Sequence, residues 1–96
     1  MDVHAVGMAW YKPEHFLRLK AMFEDGHKLH STYDEWRVAA EQGRKTLEAK
    51  GVRVICVDID PDQFPEWCQS QGMKINADAR TKFANVYAAR MLRGAN

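Results

Sequence analysis

The stretch from Val52 to Ile59, VRVICVDI, limits the folds open to this chain more than any other segment. Its β-branched residues occupy both alternating positions, with Val54 on one face and Val57 on the other. A strand with one face in water would alternate apolar and polar residues, so this pattern predicts a strand covered on both sides. Cover on both sides requires helices above and below a sheet, and therefore an α/β fold.

One further strand and a first helix are predicted before residue 27. Ala5 to Tyr11, AVGMAWY, is a short apolar run bounded by Lys12-Pro13, which is typical of a strand. Pro13 suits the first turn of a helix, because the N–H that it lacks has no partner there. Apolar residues then recur at helical spacing up to a stop at Gly26: Phe16, Leu19 and Phe23.

The next helix has a stronger start signal. Thr32 and Glu35 match the S/T-x-x-E capping box, and the segment that follows ends at Gly51. A glycine within a helix costs up to about 1 kcal/mol relative to alanine, so we expect a packing reason for Gly43. The inward stripe predicted for this helix consists of Trp36, Ala40, Gly43 and Leu47.

The segment VDIDPDQF, from Val57 to Phe64, carries three carboxylates at alternate positions and allows two interpretations. In the first, Asp58 and Asp60 are metal ligands at the carboxyl end of a strand. In the second, a helix starts here, and we favour it because it accounts for more of the residues. Asp60 is then the N-cap, Pro61 the first helical residue, Asp62 an anion in the first turn and Gln63 a side chain that reaches back to the cap.

The last predicted helix begins at Asn76 or Asp78 and runs to about Arg93. With the preceding helix and the turn at Gly72 it has the outline of a helix-turn-helix, although Asp78 takes the place of the apolar residue usual there. A formal net charge of +1 provides no general attraction to nucleic acid. The candidate nucleic-acid contacts are Arg80, Lys82, Arg90 and Arg93.

Charge is divided unevenly between two segments of the C-terminal half. Residues 54–72 contain four acidic residues and no lysine or arginine, whereas residues 73–96 contain five basic residues and one acidic residue. These opposite charges favour attraction between the two segments, either within one chain or between chains. A solvated charged face is the alternative.

Other residues capable of chemistry lack the partners that a catalytic site requires. His27 and His30 form an HxxH pair in a loop without a third fixed ligand, so they are metal candidates by type alone. Cys56 and Cys68 form no CxxC pair and lie in apolar segments, which predicts buried, reduced thiols. Because no phosphate loop, HExxH or GxSxG motif is present, we predict no catalytic residue and no cofactor.

Aromatic residues provide the remaining candidates. Most fall near the starts of predicted elements at spacings compatible with core packing. Residues with a polar tip tolerate a half-exposed position, so a few of them are also candidates for contact with a partner or ligand: Trp10, Tyr11, Tyr33 and Trp67.

Several segments together resemble a group of short bacterial proteins of unknown function. The shared pattern is an aromatic pair followed by P-E, a T-Y-x-E-W helix start, an I-D-P-x-x-F-x-x-W-C helix start and an A-R-x-x-F-A helix. It matches WYKPEHFLRLKAMF, TYDEWRVAAE, VDIDPDQFPEWC and DARTKFA in this chain. The resemblance implies a bacterial, cytoplasmic setting and no particular activity.

The sequence therefore predicts a single α/β domain over residues 1–96, with a minimal two-stranded sheet in β-α-α-β-α-α order and about four helices. No stretch reaches the 18 or more apolar residues of a membrane span, so we predict a soluble protein. So small a sheet leaves strand edges open, and open edges favour pairing with a second copy. We predict a non-catalytic interaction or regulatory module that forms a homodimer or binds another protein. The alternatives are a nucleic-acid-binding protein and a small metal- or ligand-dependent enzyme at Asp58 and Asp60.

Overall fold

The computed structural model describes residues 5–94. They form two strands and four α-helices in the order β1 (Ala5–Trp10), α1 (Phe16–Met22), α2 (Tyr33–Ala49), β2 (Arg53–Asp58), α3 (Gln63–Ser70) and α4 (Ala77–Gly94). Single turns of 3₁₀-helix flank α1, at Pro13–His15 and Gly26–Lys28. The predicted α/β class is confirmed, and the short 3₁₀ turns are additions to the predicted order.

The two strands pair in parallel, with Gly7 opposite Ile55 and Trp10 opposite Asp58. Parallel neighbours need a long crossover connection, which α1 and α2 provide. The Ile59 N–H donates to the Trp10 carbonyl at 2.9 Å and continues the ladder beyond β2. Because side chains alternate along a strand, Gly7 and Ile55 share one face of the sheet, and Trp10 and Asp58 share the other.

Helices cover both faces, as predicted, but not equally. On the Gly7 face, α4 lies so close that a Cβ at Gly7 would be 2.1 Å from the Ala84 carbonyl oxygen. Glycine is thus required there by the approach of a backbone. α2 covers the opposite face less completely: no strand residue of that face is fully buried, whereas Val57 on the α4 face is.

Most helix ends follow the sequence signals. The Glu35 N–H donates to the Thr32 hydroxyl at 3.2 Å, as the capping box predicts. Gly51 and Gly72 adopt positive φ values of 85° and 65° and end α2 and α3. The inward stripe of α2 is confirmed, with its first two members buried and the last two partly buried. The expected packing reason for Gly43 is wrong, because a Cβ there would meet only the end of the Met8 side chain at 3.6 Å.

The hydrophobic core lies toward the carboxyl ends of the strands. Tyr11 follows β1 there, and its ring centroid is 4.6 Å from that of Trp36. The rings of Phe64 on α3 and Phe83 on α4 meet edge to face at 5.3 Å. The largest fully buried side chains are Phe16, Phe64, Phe83, Leu19, Ile59 and Cys68. None of the helices in residues 5–94 is long and apolar enough to cross a membrane.

Candidate interaction surface

The carboxylate of Asp60 lies just before α3 and bonds to the backbone there. It accepts hydrogen bonds from the N–H groups of Asp62 and Gln63, both at 2.8 Å. Its carbonyl accepts from the Phe64 N–H at 2.9 Å. The N–H bonds, that of Gln63 foremost, hold the pKa of Asp60 below its ordinary value of 3.8. Asp60 therefore accepts N–H groups ahead of α3, as the helix-start interpretation predicts, but α3 begins two residues later than predicted, at Gln63 rather than Pro61, and its N-cap residue is Asp62 rather than Asp60.

The neighbours of Asp60 differ from the prediction. The Gln63 side chain does not reach back to the cap, because its Nε2 donates to the Tyr87 hydroxyl at 3.1 Å and links α3 to α4. Asp62 forms an exposed ion pair with Arg18 of α1. Asp58 is exposed at the end of β2, and its carboxylate has no hydrogen bond or ion pair within residues 5–94.

The metal candidates do not converge. His27 and His30 are exposed between α1 and α2, while Asp58 and Asp60 lie at the end of β2. In residues 5–94 no group of three His, Cys, Asp or Glu side chains is arranged to hold a metal ion. Since Asp60 already accepts N–H groups at the start of α3, the geometry of the described residues offers no candidate metal centre.

Among the aromatic candidates, Tyr11 belongs to the core. It is 4% exposed, and burial raises its pKa to about 12. The expectation that Tyr11 contacts a partner is therefore wrong.

The other three aromatic candidates are partly exposed and lie in two places. Trp10 and Tyr33 both pack against Trp36, at ring distances of 5.1 and 5.5 Å. Trp67 instead packs on α3 and α4, at 5.2 Å from Phe83. The exposed aromatic surface is consequently divided between these two places.

Of the basic candidates, Arg80 points inward. It is 9% exposed, and its two terminal nitrogens donate to the two oxygens of Asp25 at 2.8 and 2.9 Å. Its guanidinium also lies over the Phe23 ring, 4.3 Å from the centroid. The hydrogen bonds from Arg80 hold the pKa of Asp25 below its ordinary value. Arg80 is thus unavailable to a phosphate, and its predicted nucleic-acid role is wrong.

Three basic candidates remain at the surface of α4, namely Lys82, Arg90 and Arg93. The Arg90 guanidinium lies over the Tyr87 ring at 4.8 Å. The oppositely charged segments predicted to attract each other pair elsewhere. Residues 54–72 contribute Asp62, residues 73–96 contribute Lys74 and Arg80, and all three form ion pairs with residues 18–25.

One backbone group on the outer edge of β1, the Gly7 N–H, is bonded to a side chain of α4. The N–H and C=O of a strand residue point to the same side, and this side alternates along the strand. Because the Trp10 carbonyl accepts a bond from the β2 chain, the N–H of Gly7 points away from β2. It donates to the Asn85 side-chain oxygen at 2.9 Å. Asn85 thus occupies the position that a neighbouring strand would take.

The outer edge of β2 has no comparable cover. The N–H of Ile59 points toward β1, so the same alternation directs the backbone groups of Val54, Cys56 and Asp58 to the outside. In the part of the chain that the structure describes, none of these N–H or C=O groups forms a hydrogen bond. Such an edge is a template for pairing with another strand.

Side chains along this edge are charged at both ends. Arg53 begins β2 and Asp58 ends it; both are exposed, and neither forms an ion pair within residues 5–94. Between them lies Cys56, whose sulfur is 3.9 Å from Nη1 of Arg44 on α2. Cys56 is only partly buried, contrary to the prediction, whereas Cys68 is 1% exposed and burial raises its pKa. Both thiols are free.

A shallow depression also runs along the outer face of α2. All the side chains that line it come from this helix, and Val38 among them is 60% exposed. Small-molecule sites are usually concave and enclose most of the ligand, which one helix face cannot do. The depression is therefore a poorer candidate than the β2 edge.

Comparison with protein-family models, curated proteins and solved structures found no match to this chain.

Proposed function

We propose that this protein is a non-catalytic interaction module that binds an extended protein segment at the outer edge of β2. The observation that carries the proposal is the set of outward N–H and C=O groups of Val54, Cys56 and Asp58, which have no partner in residues 5–94. Strand addition supplies a main-chain hydrogen bond for each such group, and the alternate side chains provide specificity.

The contrast with β1 supports this assignment. On the opposite edge of the same sheet Asn85 interrupts the series of outward groups at the Gly7 N–H, whereas no side chain bonds the outward groups of β2 in residues 5–94. Cys56 and Val54 are partly exposed beside these groups. An added strand would therefore bury apolar side chains together with its hydrogen bonds, and both contribute to affinity.

The test compares proteins that co-purify with a tagged wild-type chain and with Cys56→Pro. Proline lacks an N–H, and the Cys56 N–H has no partner in the free protein, so the change blocks strand addition without breaking the bonds to β1. Val54→Pro is a second variant of the same design, and thermal unfolding identifies any variant that fails to fold. Lys82→Ala, on α4, is the matched control.

We expect the wild type and Lys82→Ala each to bind a stoichiometric partner, and the folded proline variants not to bind it. An untagged copy of this chain counts as such a partner. The same partners on all four proteins would contradict strand addition at β2.

A second candidate function is nucleic-acid binding by α4. The observation in its favour is that Lys82, Arg90 and Arg93 are exposed on this helix. Binding through phosphate contacts loses affinity steeply as salt rises. We therefore expect any such binding to weaken with salt and with Lys82→Ala combined with Arg93→Ala; binding that is unaffected by both changes would exclude this surface.

A further inference from the structure

We infer that the segment bound at the β2 edge is β2 of a second copy, paired antiparallel about a two-fold axis so that the two sheets join into one four-stranded sheet. This inference rests on the proposed function and names the partner at the same edge. Its basis is the register, the charge at the two ends of β2 and the small size of the sheet.

The register follows from the outward residues. In an antiparallel pair related by a two-fold axis normal to the sheet, a residue whose backbone groups point outward in one copy lies opposite such a residue in the other copy. Only a register centred on Cys56 pairs every outward residue of β2. Cys56 then lies opposite Cys56 of the second copy, and Val54 lies opposite Asp58. Each of these pairs exchanges two main-chain hydrogen bonds.

The charges select the antiparallel orientation. The start of β2 carries Arg53, with Lys50 shortly before it, and the end carries Asp58. None of these three side chains forms an ion pair within residues 5–94. Antiparallel pairing places the basic end of each strand beside the acidic end of the other, whereas parallel pairing would bring like charges together. The edge of β2 is therefore complementary to itself.

The size of the sheet provides the third argument. Two strands are the smallest sheet, and such a sheet is stable only with further strands or with helices packed against it, as α2 and α4 are here. Of the residues in β1 and β2, only Val57 is fully buried in the single copy. A continuous four-stranded sheet would cover the β2 edge in both copies and leave no outward group of Val54, Cys56 or Asp58 without a partner.

The first measurement is the mass in solution across micromolar concentrations, by sedimentation equilibrium, for the wild type, Cys56→Pro and Val54→Pro. We expect a dimer for the wild type and folded monomers for both proline variants. A monomeric wild type at every concentration would overturn this inference. The proposed function would still be supported in that case if a different co-purifying partner were lost with Cys56→Pro. A dimer that both folded proline variants retain would overturn the inference by placing the interface elsewhere.

The second measurement tests the register by oxidation with diamide, which accepts the two electrons and two protons released when two thiols form a disulfide. Directly opposed, hydrogen-bonded residues have Cα atoms about 5.5 Å apart, within the range of a disulfide. We expect a covalent dimer for the wild type and Cys68→Ser, and none for Cys56→Ser. A dimer that depends on the β2 edge but forms no Cys56 disulfide would overturn the register.

The third measurement tests the orientation by charge reversal. In the antiparallel pair Arg53 of one copy and Asp58 of the other lie at the same end of the joined strands but on opposite faces, so Arg53→Glu and Asp58→Lys are each expected to lower the dimer fraction at low ionic strength. The double variant restores opposite charges and should recover most of the association. Recovery that fails in a folded double variant would overturn the antiparallel arrangement.

Discussion

The two outer edges of this small sheet differ in how their backbone groups are satisfied. At β1, α4 lies against Gly7, and Asn85 accepts the outward N–H of that residue. At β2, the outward N–H and C=O groups of Val54, Cys56 and Asp58 form no hydrogen bond within residues 5–94. The helices cover both faces of the sheet, so the cover of a face does not close an edge. At β1 one glycine and one amide side chain interrupt the edge at a single position.

The largest expected effect breaks the contact of β1 with α4. Gly7→Ala places a methyl group where the Ala84 carbonyl oxygen lies, so α4 must shift away from the sheet. We expect a loss of about 3 kcal/mol or more in the free energy of unfolding, measured by urea denaturation. The matched control is Gly43→Ala, which meets only a flexible Met8 side chain and should gain roughly 0.5–1 kcal/mol from helix propensity. Equal stability of the two variants would show that α4 does not approach the sheet closely at Gly7.

An intermediate effect is expected where α4 is fixed by an ion pair. Asp25→Ala leaves Arg80 buried without its partner and should cost about 2 kcal/mol. This value lies below the cost for a fully enclosed pair, because the Asp25 side chain is 20% exposed. The control is Arg18→Ala, which breaks the exposed pair with Asp62 and should cost less than about 1 kcal/mol. Urea denaturation at neutral pH compares them, and equal losses would contradict a special role for the buried pair.

The same pair predicts the direction of a pH effect. The folded-state pKa of Asp25 is lowered below 3.8, chiefly by the hydrogen bonds from Arg80, so its contribution is fully present above that value. This contribution of Asp25 to the free energy of unfolding is lost as pH falls through the lower, folded-state pKa of its carboxyl group. The difference in stability between the wild type and Asp25→Ala should therefore be constant near neutral pH and narrow below about pH 4. A difference that widens in acid would contradict this sign.

The smallest expected effect concerns the side chain that bonds the Gly7 N–H of β1. Asn85→Ala removes the acceptor for the Gly7 N–H and should cost about 1 kcal/mol. Amide hydrogen exchange at Gly7 should become faster, toward the rate of the outward amides of β2 in the monomer. Asn85→Asp retains an acceptor oxygen and is expected to preserve slow exchange. Unchanged exchange at Gly7 in Asn85→Ala would show that another group protects this edge.

Structural features that depend on residues close together in the chain could be predicted from the sequence. The cap at Thr32, the stop at Gly51 and the two-faced pattern of β2 depend on neighbours within a few residues, and the structure confirms them. The inward role of Arg80 was missed because Asp25 lies 55 residues away in the chain. The sequence indicated that a two-stranded sheet has open edges, but it did not indicate at which strand the outward groups stay without a partner.

That choice depends on a contact that no local pattern contains. Gly7 and Asn85 are separated by 78 residues, and their meeting is decided by where α4 lies on the sheet. In retrospect, a glycine flanked by apolar residues inside a predicted strand is the one signal of a close backbone approach. Asn85, on a helix with several polar side chains, carries no comparable signal.

The contact between β1 and α4 also has a consequence for the order of folding during synthesis. Among the described elements β1 leaves the ribosome first and α4 last, so the Gly7 N–H can be bonded to Asn85 only after all the other described elements have been made. Until then the nascent sheet presents both edges to other chains, a state prone to mispairing. Rapid docking of α4 would therefore determine how long the Gly7 position of the β1 edge stays available to other chains.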